Sequence, residues 1–156
     1  MLGLDKFDLG EIATALQDQT DHDHLHLVNP QTGEIEFWTR DCGIDGEHPV
    51  DLDDLDLIAI NPLPSYVWYQ DMADFAESIS DELAGGRLAR AIRGKGAFRR
   101  FKDELREEYP ELLTIWYEFS DVRAQRRAVE WLAEHSLVDL DTARRFGAEH
   151  ADPDLP

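Results

Sequence analysis

Apolar positions change their spacing twice along the chain, and each change marks a boundary between elements. From Asp8 the residues Leu9, Ile12, Ala13 and Leu16 recur every three or four positions, which predicts a brief amphipathic helix ending near Gln17. Period two takes over in His24-Leu25-His26-Leu27-Val28 and again in Glu34-Ile35-Glu36-Phe37-Trp38-Thr39. Between them, Pro30-Gln31-Thr32-Gly33 places Pro early in a turn and Gly where a left-handed residue is needed, so the two runs form a hairpin. With Asn29 opposite Glu34, Val28 pairs with Ile35, His26 with Phe37, Leu25 with Trp38 and His24 with Thr39, and both faces of the ribbon carry apolar groups. A third run, Leu55 to Ile60, stops at Asn61-Pro62 and completes a small three-stranded antiparallel sheet, three strands being about the minimum for independent stability. Residues 40–54 are acidic and glycine-containing and read as loop.

After Pro62 and Pro64 the spacing is helical. Ser65 is placed to cap a helix with the stripe Trp68, Met72, Phe75 and Ile79. Ser80 is placed to cap a second helix carrying Leu83, Leu88 and Ile92. Its Gly85-Gly86 pair, each glycine costing about 1 kcal/mol relative to Ala, implies either a bend or a close helix contact. Gly94-Lys95-Gly96 ends that helix. A third directs Phe98, Phe101 and Leu105 to the core and closes before Pro110. The fourth and longest runs from Leu112 to near Ser136, with Ile115, Phe119, Val122, Val129 and Leu132 on one face; the last runs from Asp139 or Asp141 to near His150. Residues 151–156, polar and Pro-containing, are expected to be disordered. Strands first and about five helices afterwards predict an α+β class and a single domain over residues 1–150.

Composition adds a question that periodicity does not raise. The 156 residues hold 34 acidic and 15 basic side chains, a formal charge of -19. Four Trp, seven Phe and 42% apolar residues supply a core, which excludes wholesale disorder. Charge of this sign repels phosphates over most of the surface, which argues against duplex DNA or an anionic membrane as the main partner. Cys42 is the only cysteine and closes neither an intramolecular disulfide nor a Cys-based zinc site. The first twenty residues contain Asp5, Asp8, Glu11 and Asp18 with no apolar run of signal-peptide length, and no stretch nears the roughly 20 apolar residues of a membrane span. The expectation is a cytoplasmic chain without membrane contact.

The charge is unevenly spread. Residues 1–86 carry -18, residues 87–106 carry +6 and residues 107–156 carry -7. Eight of the fifteen bases, Arg87, Arg90, Arg93, Lys95, Arg99, Arg100, Lys102 and Arg106, therefore fall within twenty residues. With three Lys against twelve Arg, the Asp-rich and Lys-poor composition also fits adaptation to a saline cytoplasm or a GC-rich genome.

The run Leu88-Ala89-Arg90-Ala91-Ile92-Arg93-Gly94-Lys95-Gly96-Ala97-Phe98-Arg99-Arg100-Phe101-Lys102-Asp103 resembles the hallmark of a widespread bacterial family of small uncharacterised proteins. Thr32-Gly33-Glu34, the helix with Met72 and Phe75, Trp116 with Phe119, and Trp131-Leu132 follow in that family's order, so the resemblance covers roughly residues 20–135. It implies a soluble single-domain protein and brings no activity, cofactor or catalytic residue with it.

Candidate chemistry concentrates in the basic island. Gly94-Lys95-Gly96 precedes a helix whose first N–H groups and positive dipole end favour an anion, and Arg93, Arg99, Arg100 and Lys102 surround it, a pattern suited to RNA or a phosphate ligand. A P-loop is absent, because the upstream glycine and the following Ser or Thr are missing. His22, His24 and His26 alternate on one strand and share a face, a spacing that can hold a divalent metal but is more often that of half-buried strand histidines; no metal and no cofactor are assigned. Asp51, Asp53, Asp54 and Asp56 lack the glycine and distal Glu of a calcium loop. Trp38, Tyr66 and Tyr69 form a candidate aromatic contact surface for a partner, since Tyr66 and Tyr69 lie one turn apart and away from Met72 and Phe75. The sequence thus favours a non-enzymatic interaction or regulatory domain whose acidic surface meets a basic protein partner, with an RNA- or phospholigand-binding module at residues 87–106 as the alternative.

Overall fold

The computed structural model describes residues 1–18 and 23–156. Its elements are α1 (Leu9–Gln17), β1 (His24–Val28), β2 (Ile35–Thr39), β3 (Ile58–Ile60), α2 (Ser65–Ser78), α3 (Glu82–Ala91), α4 (Ala97–Glu108), α5 (Pro110–Glu134) and α6 (Leu140–Glu149), with 3-10 turns at Leu4–Lys6 and Leu52–Asp54. A small antiparallel sheet followed by a mostly helical C-terminal half makes the protein α+β. The chain divides into two compact units: Met1–Leu63 with Ala124–His150, and Pro64–Arg123 with Ala151–Pro156. Helix α5 supplies its first part to the second unit and the rest to the first.

In the first unit the strands run in the order β2-β1-β3, and the hairpin register is the one its alternation predicts, from Val28 opposite Ile35 to His24 opposite Thr39. The turn closes through Asn29 N–H donating to the Glu34 carbonyl at 2.8 Å and Gly33 N–H donating to the Asn29 carbonyl at 2.8 Å. Gly33 has φ +81°, and a Cβ there would stand 2.3 Å from the Lys6 carbonyl oxygen, so both conformation and space require glycine. Strand β3 is shorter than the apolar run suggests. Residues 52–54 make a 3-10 turn with Leu55 N–H bonded to the Leu52 carbonyl at 3.1 Å, which delays the extended segment until Ile58. Ile12, Leu16, Leu27, Val28, Ile60, Val129 and Leu132 are fully buried.

The second unit centres on four rings. Phe75, Phe101, Trp116 and Phe119 meet with centroids 4.8 to 6.1 Å apart, mostly edge to face, and Met72, Leu88 and Leu105 pack in the same core. Trp116 belongs to this core because α5 presents Leu112, Trp116 and Phe119, which keeps the predicted Phe119 and puts Trp116 in the place expected for its neighbour Ile115. Likewise α4 buries Ala97, Phe101 and Leu105 at strict four-residue spacing, which turns Phe98 outward, 43% exposed, where the sequence placed it inside. Gly85 settles the glycine pair as a close contact: its Cβ would sit 2.8 Å from the Ala76 carbonyl oxygen. The caps shift by one residue from the predicted serines. Asp81, whose carboxylate accepts from Leu83 N–H at 3.0 Å and Ala84 N–H at 3.3 Å, caps α3, and Ser65 is already helical behind Pro64.

Residues 151–156, for which composition predicts disorder, have no regular secondary structure but are anchored on the second unit through Asp152, Leu155 and Pro156. Those anchors include an ion pair, an apolar contact and a backbone hydrogen bond, none of which composition reveals.

Candidate functional site

An open depression in the first unit lies beside the acidic loop. It has a volume of about 800 Å³, with Trp38, Pro49, Val50 and Leu52 as its apolar lining and Asp51, Asp53 and Asp54 at its edge. Two hydrogen-bond sets hold it in shape. Trp38, only 7% exposed, donates its indole N–H to the Val50 carbonyl at 2.8 Å, fastening the loop to β2. Upstream, the Asp45 carboxylate accepts from the backbone N–H groups of His48 at 2.8 Å and Glu47 at 2.7 Å and from the His48 ring at 2.9 Å. These bonds, the backbone one from His48 first, bring the Asp45 pKa down to about 2, so the brace is charged at neutral pH. Asp51, Asp53 and Asp54 are exposed and enter no ion pair among the described residues; Arg40, the one cation lining the depression, is engaged by Asp23 at 3.0 Å. An apolar floor under uncompensated carboxylates suits a cation carried on an aliphatic stem.

The predicted aromatic surface divides. Trp38 is spent on the depression's floor, Tyr69 is half-buried against the core of the second unit, and Tyr66 is 71% exposed.

The basic island in the second unit is partly consumed by structure. Arg87 reaches from α3 to α4, with Nε 2.6 Å from Glu104 and Nη1 3.5 Å from Glu108. Burial alone would lower its pKa, but Glu104, Tyr109 and Glu108 together outweigh that and raise it. Arg99 and Arg106 both lie near Asp103, at 3.8 and 3.6 Å. Arg100 donates to the Ala91 carbonyl at 2.9 Å and to the Arg93 carbonyl, so its guanidinium closes the C-terminal end of α3. Arg93, Lys95 and Lys102 are exposed and take part in no ion pair among the described residues, as does Arg90. Gly94 and Gly96 both have positive φ, +80° and +76°, and Gly96 starts α4 without a side-chain cap. The seven residues singled out by sequence therefore split: Arg99 and Arg100 are bound to protein groups, while Arg93, Lys95 and Lys102 flank the bare helix start at Gly94 and Gly96.

The strand histidines also part. His22 lies outside the described residues. His24 is hydrogen-bonded to Asp18 at 2.9 Å, and both His24 and His26 lay their rings near Phe37, at 5.4 and 5.1 Å. Among the described residues no group of three metal-ligating side chains converges.

Periodicity and motif matching missed one cluster altogether. Arg123 Nη1 lies 3.1 Å from Asp71 and 2.5 Å from Asp74, while its Nε and Nη2 form a two-pronged contact with Asp152 at 3.2 and 2.9 Å; the guanidinium also sits 4.5 Å from the Phe119 ring. The Asp71 side chain is 3% exposed and that of Arg123 16%. Burial would lower the Arg123 pKa; hydrogen bonds to Asp152, Asp74 and Asp71 outweigh it and hold the pKa above its ordinary value. Burial would raise the Asp74 pKa, and the bonds from Arg123 and Gln70 bring it below the ordinary carboxylate value. The only advance signal is an Asp in the polar gap of an otherwise apolar stripe, at Asp71 next to Met72.

The family and the relative that comparison with known proteins finds carry names that state no activity. The family model described as "Uncharacterised protein family (UPF0158)" matches residues 13–143. The UPF0158 protein PA5073 of Pseudomonas aeruginosa is 33% identical over 81 residues, which is 52% of this chain and 52% of that protein, so the match spans about half the length of the relative. No solved structure matches. Among the described residues no helix is long and apolar enough to cross a membrane.

Proposed function

The chain belongs to the uncharacterised protein family UPF0158, and on that premise we propose that its first unit is a non-catalytic interaction module that docks a basic segment of a partner protein. The observation that carries this reading is the depression at Trp38, Val50 and Leu52 with three exposed, uncompensated carboxylates at its edge. A Lys or Arg side chain laid there buries its methylenes on the apolar floor and keeps its charge beside Asp51, Asp53 and Asp54. Attraction over the acidic surface raises the rate of encounter, and the floor supplies the contact that salt does not screen. Fluorescence anisotropy with a labelled decapeptide of alternating Lys and Leu tests it. The triple variant Asp51→Asn, Asp53→Asn, Asp54→Asn is expected to weaken binding about tenfold, three exposed pairs at several tenths of a kcal/mol each. Equal affinity of wild type and variant sinks the proposal.

A second reading is supported by the uncapped start of α4, where Arg93, Lys95 and Lys102 have no ion-pair partner among the described residues. Here the second unit binds RNA or a phosphate ligand at Arg93–Lys102, with Arg99 and Arg100 positioning the helix start instead of contacting the anion. Filter binding of a short single-stranded RNA at about 50–100 mM salt is expected to show binding that the Arg93→Ala, Lys95→Ala, Lys102→Ala variant loses. Absence of binding by wild type removes this reading.

A further inference from the structure

We propose that residues 151–156 are the resident, detachable occupant of a short-peptide site on the second unit, and that an acidic segment of a partner protein with leucine three residues after an aspartate takes the same site. Its three anchors lie in that unit, and none of them lines the depression beside Trp38.

Three anchors define the site. Arg123 receives the Asp152 carboxylate side-on, Nε to Oδ1 at 3.2 Å and Nη2 to Oδ2 at 2.9 Å, the fork geometry by which arginine recognises a carboxylate. Leu155 packs against the core that contains Met72, Phe75 and Trp116. The Ser80 N–H, at the junction of α2 and α3, donates to the Pro156 carbonyl at 2.8 Å. Charge, side chain and backbone are thus each read once along Asp-Pro-Asp-Leu-Pro. Pro153 and Pro156 bracket Asp154 and Leu155, so the segment has little conformational freedom to lose on docking.

The same features make the occupant detachable. The segment adds no strand or helix to the unit, and Asp152 and Pro156 are exposed while Leu155 is only half-buried. Arg123 keeps Asp71 and Asp74 when Asp152 leaves, so its charge stays compensated and the receptor persists without its ligand. A structural strap that merely completed the core would bury its apolar residue fully and would be the only counter-charge of the buried arginine. Local opening of such weakly held segments is the low end of a protein's stability range.

The test uses the full chain carrying Asp152→Asn and Leu155→Ala, which empties the site in place. Titration with a synthetic peptide of sequence Ala-Asp-Pro-Asp-Leu-Pro is expected to show binding about tenfold tighter to this variant than to wild type, because in wild type the tethered segment competes at an effective concentration of the order of millimolar. A control peptide with Asn and Ala at the two anchor positions is expected not to bind. A folded variant that ignores the peptide overturns the proposal. If the variant does not fold, amide hydrogen exchange in wild type decides: Ser80 N–H is expected to exchange at least about ten times faster than Phe75 N–H, through local opening, and exchange only with global unfolding rules out a detachable occupant. A wild-type dimer that the variant dissolves reassigns the segment to a second copy and overturns occupation within one chain.

Discussion

The two units carry charge of the same sign and use it in opposite ways. The sheet-containing unit holds 20 acids against 6 bases, the helical unit 14 against 9. In the helical unit four of the nine cations are placed among the acids: Arg87 between Glu104 and Glu108, Arg99 and Arg106 beside Asp103, Arg123 among Asp71, Asp74 and Asp152. In the sheet unit, Asp51, Asp53 and Asp54 stand around an apolar depression with no such partner among the described residues. Net charge is therefore a poor guide to where an acidic protein presents its acidity. Position relative to arginine decides whether a carboxylate builds the fold or remains available at the surface.

The two units are expected to differ most in what the loss of an arginine costs. Arg123→Met leaves the nearly buried Asp71 without its guanidinium and is expected to cost about 3 kcal/mol in urea denaturation, the lower end for breaking a buried pair. In the other unit Arg40→Met breaks an ion pair whose side chains are both well exposed and is expected to cost under about 1 kcal/mol. Similar losses from the two variants would erase the distinction drawn between the units.

Acid dependence comes next in size. A carboxyl group whose folded pKa is lowered adds stability that is present above its unfolded value of 3.8 and disappears as the pH falls through the folded value. Asp74 and Asp45 both fall in this class, so each favours the folded state at neutral pH and loses that effect below pH 3.8, Asp45 as the pH approaches about 2. In an NMR titration the Asp74 carboxyl is expected to move back up toward its ordinary value in Arg123→Met, whereas Asp45, held by its own loop's N–H groups, is expected to stay. Movement of Asp45 in that variant would contradict the separate origins of the two shifts.

Smaller effects sharpen the contrast. The triple Asn variant at Asp51, Asp53 and Asp54 is expected to change stability by less than about 0.5 kcal/mol while weakening binding of the basic decapeptide, since these groups hold nothing in the fold. Arg99→Ala, which removes one exposed contact with Asp103 within α4, is expected to cost at most about 0.5 kcal/mol by thermal denaturation. A loss of about 2 kcal/mol or more in either variant, on the order of a buried-network defect, would mean that surface charge supports structure in both units.

Some of this was legible residue by residue. Alternation from His24 to Val28 and from Ile35 to Thr39, with Gly33 at the turn, specified the hairpin and its register, because a one-residue slip would send every side chain to the wrong face. The helix count and the α+β class followed from the change of period near Ser65. The inward faces of α4 and α5 were read correctly at Phe101, Leu105, Phe119, Val129 and Leu132 and one position away at Phe98 and Ile115, since stripes spaced three and four apart overlap on a helix, and only the neighbours on other elements choose between Phe98 and Ala97 or between Ile115 and Trp116. The basic island was visible, but the diversion of Arg99 and Arg100 to Asp103 and to backbone carbonyls was not.

By itself the sequence determined the period of each segment, the hairpin register, the order of one short helix, the strands and then the remaining helices, the excess of acid and its crowding before residue 87. Those properties depend on local spacing and composition, which a linear string contains in full. Tertiary structure alone decided that Arg123 would meet Asp71, Asp74 and Asp152, which lie 52, 49 and 29 residues away. It also decided that Trp38 would lie at the floor of a depression, with its indole N–H bound to the Val50 carbonyl. The physical reason is common to both: the strength of a charge or a ring depends on what desolvates and faces it, and those neighbours are brought together by packing across distances in sequence that no local pattern records.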